Sequence, residues 1–171
     1  MFKIMKSEQE VLSHLSKRTS EIMNLSKLPN LDNFYLAFLA KYEGIVITPD
    51  IDIFGYENAL KENKYLAVNY SDISKTLWII GRTGQGDEWF MNKDAGNVLF
   101  YDHNQGEYSN NEQFIDFSIS FLEFLQMSFL YQDLENLLDR KRVSESEISA
   151  FIRAVDSIHL DLYELYPFKY F

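Results

Sequence analysis

The chain has 171 residues, enough for one domain of ordinary size with a core that needs no covalent staples. Its 14 Phe, 11 Tyr and 2 Trp argue against disorder, and the absence of cysteine excludes disulfides, thiolate metal sites and thiol nucleophiles. The formal net charge is −10. It is unevenly spread: Asp94 to Asp139 carries nine acidic residues and no Lys or Arg, whereas residues 1–27 hold five basic residues against three acidic ones. Such a field repels nucleic acid and anionic lipid and attracts basic partners. The opening MFKIMKSEQE lacks the apolar segment of a secretory signal, and no run approaches the ~20 apolar residues of a membrane span. With no cysteine, this leads us to expect a cytoplasmic protein.

In chain order, Ser7 and Glu10 form a capping-box pattern ahead of Val11, Leu12, Leu15, Ile22 and Met23, predicting a first helix over residues 7–26. Leu28-Pro29-Asn30 breaks it. Asp32 caps a second helix carrying Phe34, Tyr35, Phe38, Leu39 and Tyr42, with Gly44 placed to end it in a left-handed conformation. Ile45–Thr48 and Ile51–Gly55 read as short strands, and Tyr56–Lys61 as about one helical turn. Tyr65–Tyr70, Leu77–Gly81, Glu88–Asn92 and Val98–Tyr101 read as further strands. The last three are joined by glycine-bearing turns at Thr83–Asp87 and Lys93–Asn97. A third helix is expected to open at Asn110 or Asn111 and run through the aromatic stretch to Leu125, continuing past Leu130, Leu134 and Leu138. Ser144 and Glu147 form a second capping box, opening a helix to about Ile158. The tail LYELYPFKYF is too aromatic to stay exposed and is expected to dock on the body.

No catalytic set emerges. Gly84-Gln85-Gly86 could begin a phosphate loop, but Asp87-Glu88 and a strand follow where a helix N-terminus is required, so the segment reads as a hairpin turn. Asp87 and Glu88 are adjacent on a strand and point to opposite faces, which rules out their flanking one bond. His14, His103 and His159 have no metal-ligand spacing. Asp102 beside His103 could orient an imidazole for hydrolysis, yet no nucleophile accompanies it, and a loop hydrogen bond is the simpler reading. Trp78 and Trp89 lie on strands, where a core role is the default, although Trp89 beside Glu88 could also reach a partner surface.

A set of short motifs points further. Leu28-Pro29 precedes a helix ending in Phe38-Leu39, then Tyr42-Glu43-Gly44, and Ile53-Phe54-Gly55 follows. Then come Ile79-Ile80-Gly81, Gly84-x-Gly86-Asp87, Trp89-Phe90, Gly96-Asn97-Val98, Tyr101-Asp102-His103 and the aromatic segment Phe114–Leu125. In order and spacing this series resembles the SUKH superfamily over roughly residues 7–126. Bacterial members of that superfamily are mostly immunity proteins of polymorphic toxin systems, and eukaryotic relatives regulate cell-wall synthesis.

The resemblance implies an α+β fold, with a curved antiparallel sheet flanked by helices, and function by protein binding without catalysis, cofactor or metal. On this reading residues 1–130 form the core and residues 131–171 a helical extension packed on the same domain. The expected partner is a cognate toxin with a basic surface, a nuclease above others because nucleases must hold phosphate backbones. The expected binding face comprises Asp87, Glu88, Trp89, Asp94, Asp102, Glu107 and Glu112, which lie on or beside loops of the sheet. An adaptor or regulatory module with an endogenous partner would use the same kind of surface, and a toxin gene next to this one would decide between the two.

Overall fold

The computed structural model describes residues 2–171. The helices are α1 (Glu8–Ser13), α2 (Asn33–Lys41), α3 (Tyr56–Asn69), α4 (Ser71–Thr76), α5 (Phe121–Leu138), α6 (Glu145–Asp156) and α7 (Leu162–Leu165). The strands are β1 (Ile45–Thr48), β2 (Ile51–Ile53), β3 (Leu77–Arg82), β4 (Glu88–Asn92), β5 (Val98–Tyr101) and β6 (Ile115–Asp116). They form one open antiparallel sheet whose spatial order is the chain order, β1 to β6. The α+β architecture and the helical C-terminal region match the expectation. Bulges between Val46 and Thr48 and between Ile79 and Gly81 bend the strands locally. No helix among the described residues is long and apolar enough to cross a membrane.

Strands β3, β4 and β5 are almost wholly buried, so both faces of the sheet are covered there. Register sorts the residues. Trp78 opposes Met91 and Trp89 opposes Phe100, while Ile79 opposes Phe90 and Phe90 opposes Leu99. On the first face, the Trp78 indole donates to the Tyr35 hydroxyl on α2 at 3.1 Å. There the Trp89 ring packs on Phe100 and Phe124 (both 4.8 Å between centroids) and on Phe117 (5.5 Å). The C-terminal tail closes this face: Tyr166 stacks on Tyr131 at 3.9 Å, and Phe168 meets Phe100 edge-on. On the second face, Phe90 and Tyr101 pack on Phe114, and α3 lies against β3. The buried Asn63 amide of α3 donates to the Ile79 carbonyl at 2.9 Å, and its side-chain oxygen accepts from the Ile79 N–H at 2.9 Å. Asn63 thereby satisfies strand groups that the bulge removes from the ladder.

Several expected boundaries change. The first helix stops at Ser13, and the chain then runs as a strap along the end of α2. There the Arg18 N–H donates to Lys41 O, Ile22 N–H to Ala40 O and Glu43 N–H to Ser16 O, each at 2.9 Å. Gly44 does not cap α2, whose last residue leads straight into extended backbone at Tyr42. Instead Gly44 lies against Gly55: a Cβ on Gly44 would sit 2.6 Å from the Gly55 nitrogen. Residues 65–69, read as strand, belong to α3, which carries Leu66 and Ala59 into the core. The third helix starts at Phe121 under a capping box made by Ser120 and Glu123; before it, residues 111–113 form a short 3-10 turn and Ile115–Asp116 adds the edge strand β6. A division at residue 130 falls inside α5, so the expected core and extension share one continuous helix. The capping boxes at Ser7 and Ser144 and the Asp32 cap are as expected.

Candidate functional site

The expected site residues fall at different depths. Trp89 is fully buried in the aromatic cluster of the first face, and its indole donates to the Asp50 carbonyl at 2.8 Å. It is a core residue and offers nothing to a partner. Asp87 is also buried, at 4% exposure. One of its carboxylate oxygens accepts from the Thr83 hydroxyl at 3.1 Å, and the other from the His103 backbone N–H at 3.1 Å. The second oxygen also meets His103 Nδ1 at 2.6 Å. Thr83 Oγ1 in turn accepts from the Gln85 and Asp87 N–H groups. Asp87 therefore ties the β3–β4 hairpin turn to the turn that leaves β5. Gly86 at φ 101° and Gly96 at φ 77° supply the left-handed residues of the two hairpins, and Gly84-Gln85-Gly86 is a turn, as read.

Sequence adjacency suggested Asp102 as the partner of His103. The structure gives that role to Asp87, sixteen residues away, because Asp102 caps its own turn: its Oδ1 accepts from the Asn104 N–H at 2.8 Å. The imidazole side chain is 43% exposed, and Asp87 holds its pKa above the ordinary 6.5 by hydrogen bonding to the protonated ring. Asp87, Asp102 and His103 offer three ligand atoms within 4.8 Å of one another, which is metal-ligand spacing. Asp87 spends both of its oxygens on Thr83 and His103, while Asp102 and His103 each use one atom, Oδ1 and Nδ1, in protein hydrogen bonds.

The remaining expected residues divide. Asp94 is exposed in the β4–β5 turn, at the opposite end of β4 from Glu88. Glu88 and Glu107 come together at the other end, while Asp102 and Glu112 sit on the loop that leaves β5 outside the lining they share. There a groove of about 230 Å³ opens on the second face of the sheet, lined by Tyr65, Tyr70, Glu88, Tyr101, His103, Glu107 and Tyr108, with Gly86 and Gly106 at its edges. No Lys or Arg lines it. The local sequence explains the shape. Glu88 opposes Tyr101 across the β4–β5 ladder, which puts both on the side facing α3. Gly106 takes φ 80° and lets the chain turn back, and the Tyr101 hydroxyl holds that turn by donating to the Gly106 carbonyl at 2.9 Å. Tyr108 is the hub, meeting Tyr101 at 4.7 Å and Tyr70 at 4.8 Å while its hydroxyl donates to Glu88.

Burial raises the Glu88 carboxyl above the ordinary carboxylate range; the Tyr108 hydrogen bond works against that, and the charges of Glu62 and Asp87 reinforce it. Sequence reasoning found Glu88 and Glu107 but missed every tyrosine of the groove. Tyr65 and Tyr70 read as strand residues in the sequence, and only the helical course of α3 brings them to the end of β4. Chemically, the site offers carboxylate oxygens and aromatic faces, which suits a cation. Comparison of the chain with protein-family models, curated proteins and solved structures gave no match, so the likeness to the SUKH superfamily rests on the order of its sequence motifs.

Proposed function

We propose that this protein works by binding a basic protein across the acidic, tyrosine-rich end of its sheet, and that the partner is a cognate bacterial toxin, a nuclease, which it neutralises in the cytoplasm. One observation carries the reading. Glu88 and Glu107 are set among Tyr65, Tyr70, Tyr101 and Tyr108 in a groove lined by no Lys or Arg, where the one imidazole, His103, is held by Asp87, on a chain of net charge −10. A nuclease must expose a basic surface to hold a phosphate backbone. Carboxylates complementary to that surface speed encounter, and tyrosines beside them supply rigid contact area that slows release. Occupying the surface denies it to nucleic acid. The toxin class comes from the motif order in the sequence; the groove supplies the chemistry of contact.

The binding face on this reading is Glu88, Asp102, Glu107 and Glu112 with the groove tyrosines. Asp87 supports it from beneath, while Trp89 and Asp94 fall outside it. The test is co-expression with the toxin encoded beside this gene. Growth is expected to be rescued and the two chains to co-purify, with both outcomes lost in a Glu88→Lys, Glu107→Lys double variant that still folds. Absence of both rescue and co-purification for the natural chain would remove the immunity reading.

A further inference from the structure

Glu88 is a carboxylate without a counter-charge. It is half-buried at the floor of the groove, one of its oxygens accepts from the Tyr108 hydroxyl, and it forms no ion pair among the described residues. Its cross-strand neighbour Arg82 would be the natural partner, but the Arg82 guanidinium reaches Asp52 on β2 at 3.1 Å. Glu62 and Asp87 add charge of the same sign nearby. A desolvated carboxylate in that position is costly for the isolated protein, and the cost falls once a cation arrives.

The walls are built before any ligand comes. Tyr70 stands edge-on to Tyr108 at 85°, Tyr101 meets Tyr108 at 62°, and Phe90 meets Tyr108 edge-on at 5.9 Å, so Tyr108 is locked from three sides. Tyr65 remains 60% exposed at the rim, on α3, whose C-cap is Tyr70. At about 230 Å³ the groove is smaller than a pocket for a drug-sized ligand and suits a single side chain.

The geometry points to a receptor for one arginine side chain of the basic partner, with Glu88 as the carboxylate that pairs with the guanidinium and Tyr65, Tyr70 and Tyr108 as the aromatic walls. Arginine fits better than lysine for two reasons. Its planar guanidinium stacks on tyrosine faces while presenting a fork of donors to a carboxylate. It is also more weakly hydrated than an ammonium, so entry into an aromatic groove costs less water. This inference rests on the reading that the acidic end of the sheet meets a basic protein.

It is tested apart from any toxin by titrating Nα-acetyl-arginine amide into the full chain at pH 7.5 and following backbone amide shifts. Saturable binding in the millimolar range is expected, with shifts confined to residues 65–70, 86–88 and 101–108. Nα-acetyl-lysine amide should bind about fivefold more weakly, in line with the hydration difference. Glu88→Gln, which keeps the shape of the side chain and its capacity to accept from Tyr108, should weaken the arginine compound about tenfold, equivalent to ~1.4 kcal/mol. Tyr65→Ala changes an exposed residue, leaves the fold intact and should weaken it about threefold; Asp94→Asn should leave it unchanged. No saturable shift, shifts elsewhere, equal affinity for the lysine compound, or unaltered affinity in Glu88→Gln would each overturn the arginine receptor. A chain that fails this titration yet co-purifies with the toxin keeps the partner reading and loses the receptor. A chain that binds the arginine compound but no basic protein keeps the receptor and loses the partner.

Discussion

The two faces of one sheet have been put to opposite uses, and strand β4 shows the division residue by residue. Trp89 points into the face closed by α5 and the C-terminal tail, where Phe100, Phe117, Phe124 and Tyr166 surround it and water is excluded. Glu88, one residue earlier, points to the other face, where α3 and the loop after β5 leave a gap lined by hydroxyls and carboxylates. On the first face each tryptophan makes one polar tie, Trp89 to the Asp50 carbonyl and Trp78 to the Tyr35 hydroxyl. The second is tied by polar contacts throughout: Asn63 to Ile79, Tyr108 to Glu88, His103 to Asp87. Because successive side chains of a strand alternate, a single five-residue segment can anchor the core and floor the groove proposed to bind a partner. Stability and recognition are thus separable by mutation, even at adjacent positions.

That separation can be broken or sharpened in stages. The largest effect is expected from Trp89→Ala, which empties the centre of the closed face; a loss of ~3–5 kcal/mol in urea unfolding is expected, and a loss below that range would mean that the tail and α5 collapse onto the gap. Next, Glu88→Lys should cost ~2–5 kcal/mol of affinity for the proposed basic partner, read by calorimetry, because the proposed ion pair becomes a repulsion, while the thermal midpoint of the free protein holds or rises. A matching fall in stability would show that Glu88 belongs to the scaffold. Asn63→Ala should cost ~1–3 kcal/mol of stability, since the N–H and C=O of Ile79 lose their buried partners; hydrogen exchange should then rise at Ile79 before it rises elsewhere in β3. Tyr65→Ala should stay within about 0.5 kcal/mol of the parent in stability, as an exposed helix residue does, and still weaken partner binding.

The smallest effect concerns pH. His103 has its folded pKa raised above 6.5 by the hydrogen bond to Asp87. A raised folded pKa means that its contribution is fully present below 6.5 and is lost as pH climbs through the folded value. The thermal midpoint should therefore drift downward over that interval, and His103→Gln should flatten the drift. Glu88 behaves in the reverse sense of a paired carboxylate. Burial raises its folded pKa, so lowering pH through that value relieves the buried charge and adds stability. A Glu88→Gln variant should lack that rise.

Local signals in the sequence were reliable where the chain satisfies itself locally. Runs such as WFMN and VLFY, each flanked by glycine turns, marked β4 and β5 at their observed limits, and the capping boxes at Ser7 and Ser144 marked true helix starts. An identical S-x-x-E signature at Ser120 and Glu123 was present and would have placed the start of α5. The aromatic run before it obscured that start, because Phe114 to Ile119 is apolar enough to imitate a helix. Leu15 and Ile22 likewise keep helical spacing but serve a strap hydrogen-bonded to α2, and the hydrogen bonds that decide the matter come from residues 40–43, distant in sequence.

The sequence by itself determined the three central strands, the glycine hairpins and the acidic stretch from Asp94 to Asp139, because each depends on composition or on neighbours a few residues apart; the α+β class followed from the order of its motifs. Tertiary structure alone decided that Asp87 rather than Asp102 holds His103, that Trp89 lies in the core, that Asp94 stands apart, and that Tyr65, Tyr70, Tyr101 and Tyr108 surround Glu88. Burial and contact are properties of what the rest of the chain lays over a residue. Here that cover comes from α3, α5, the loop after β5 and the C-terminal tail, whose positions no local pattern around residues 87–89 encodes.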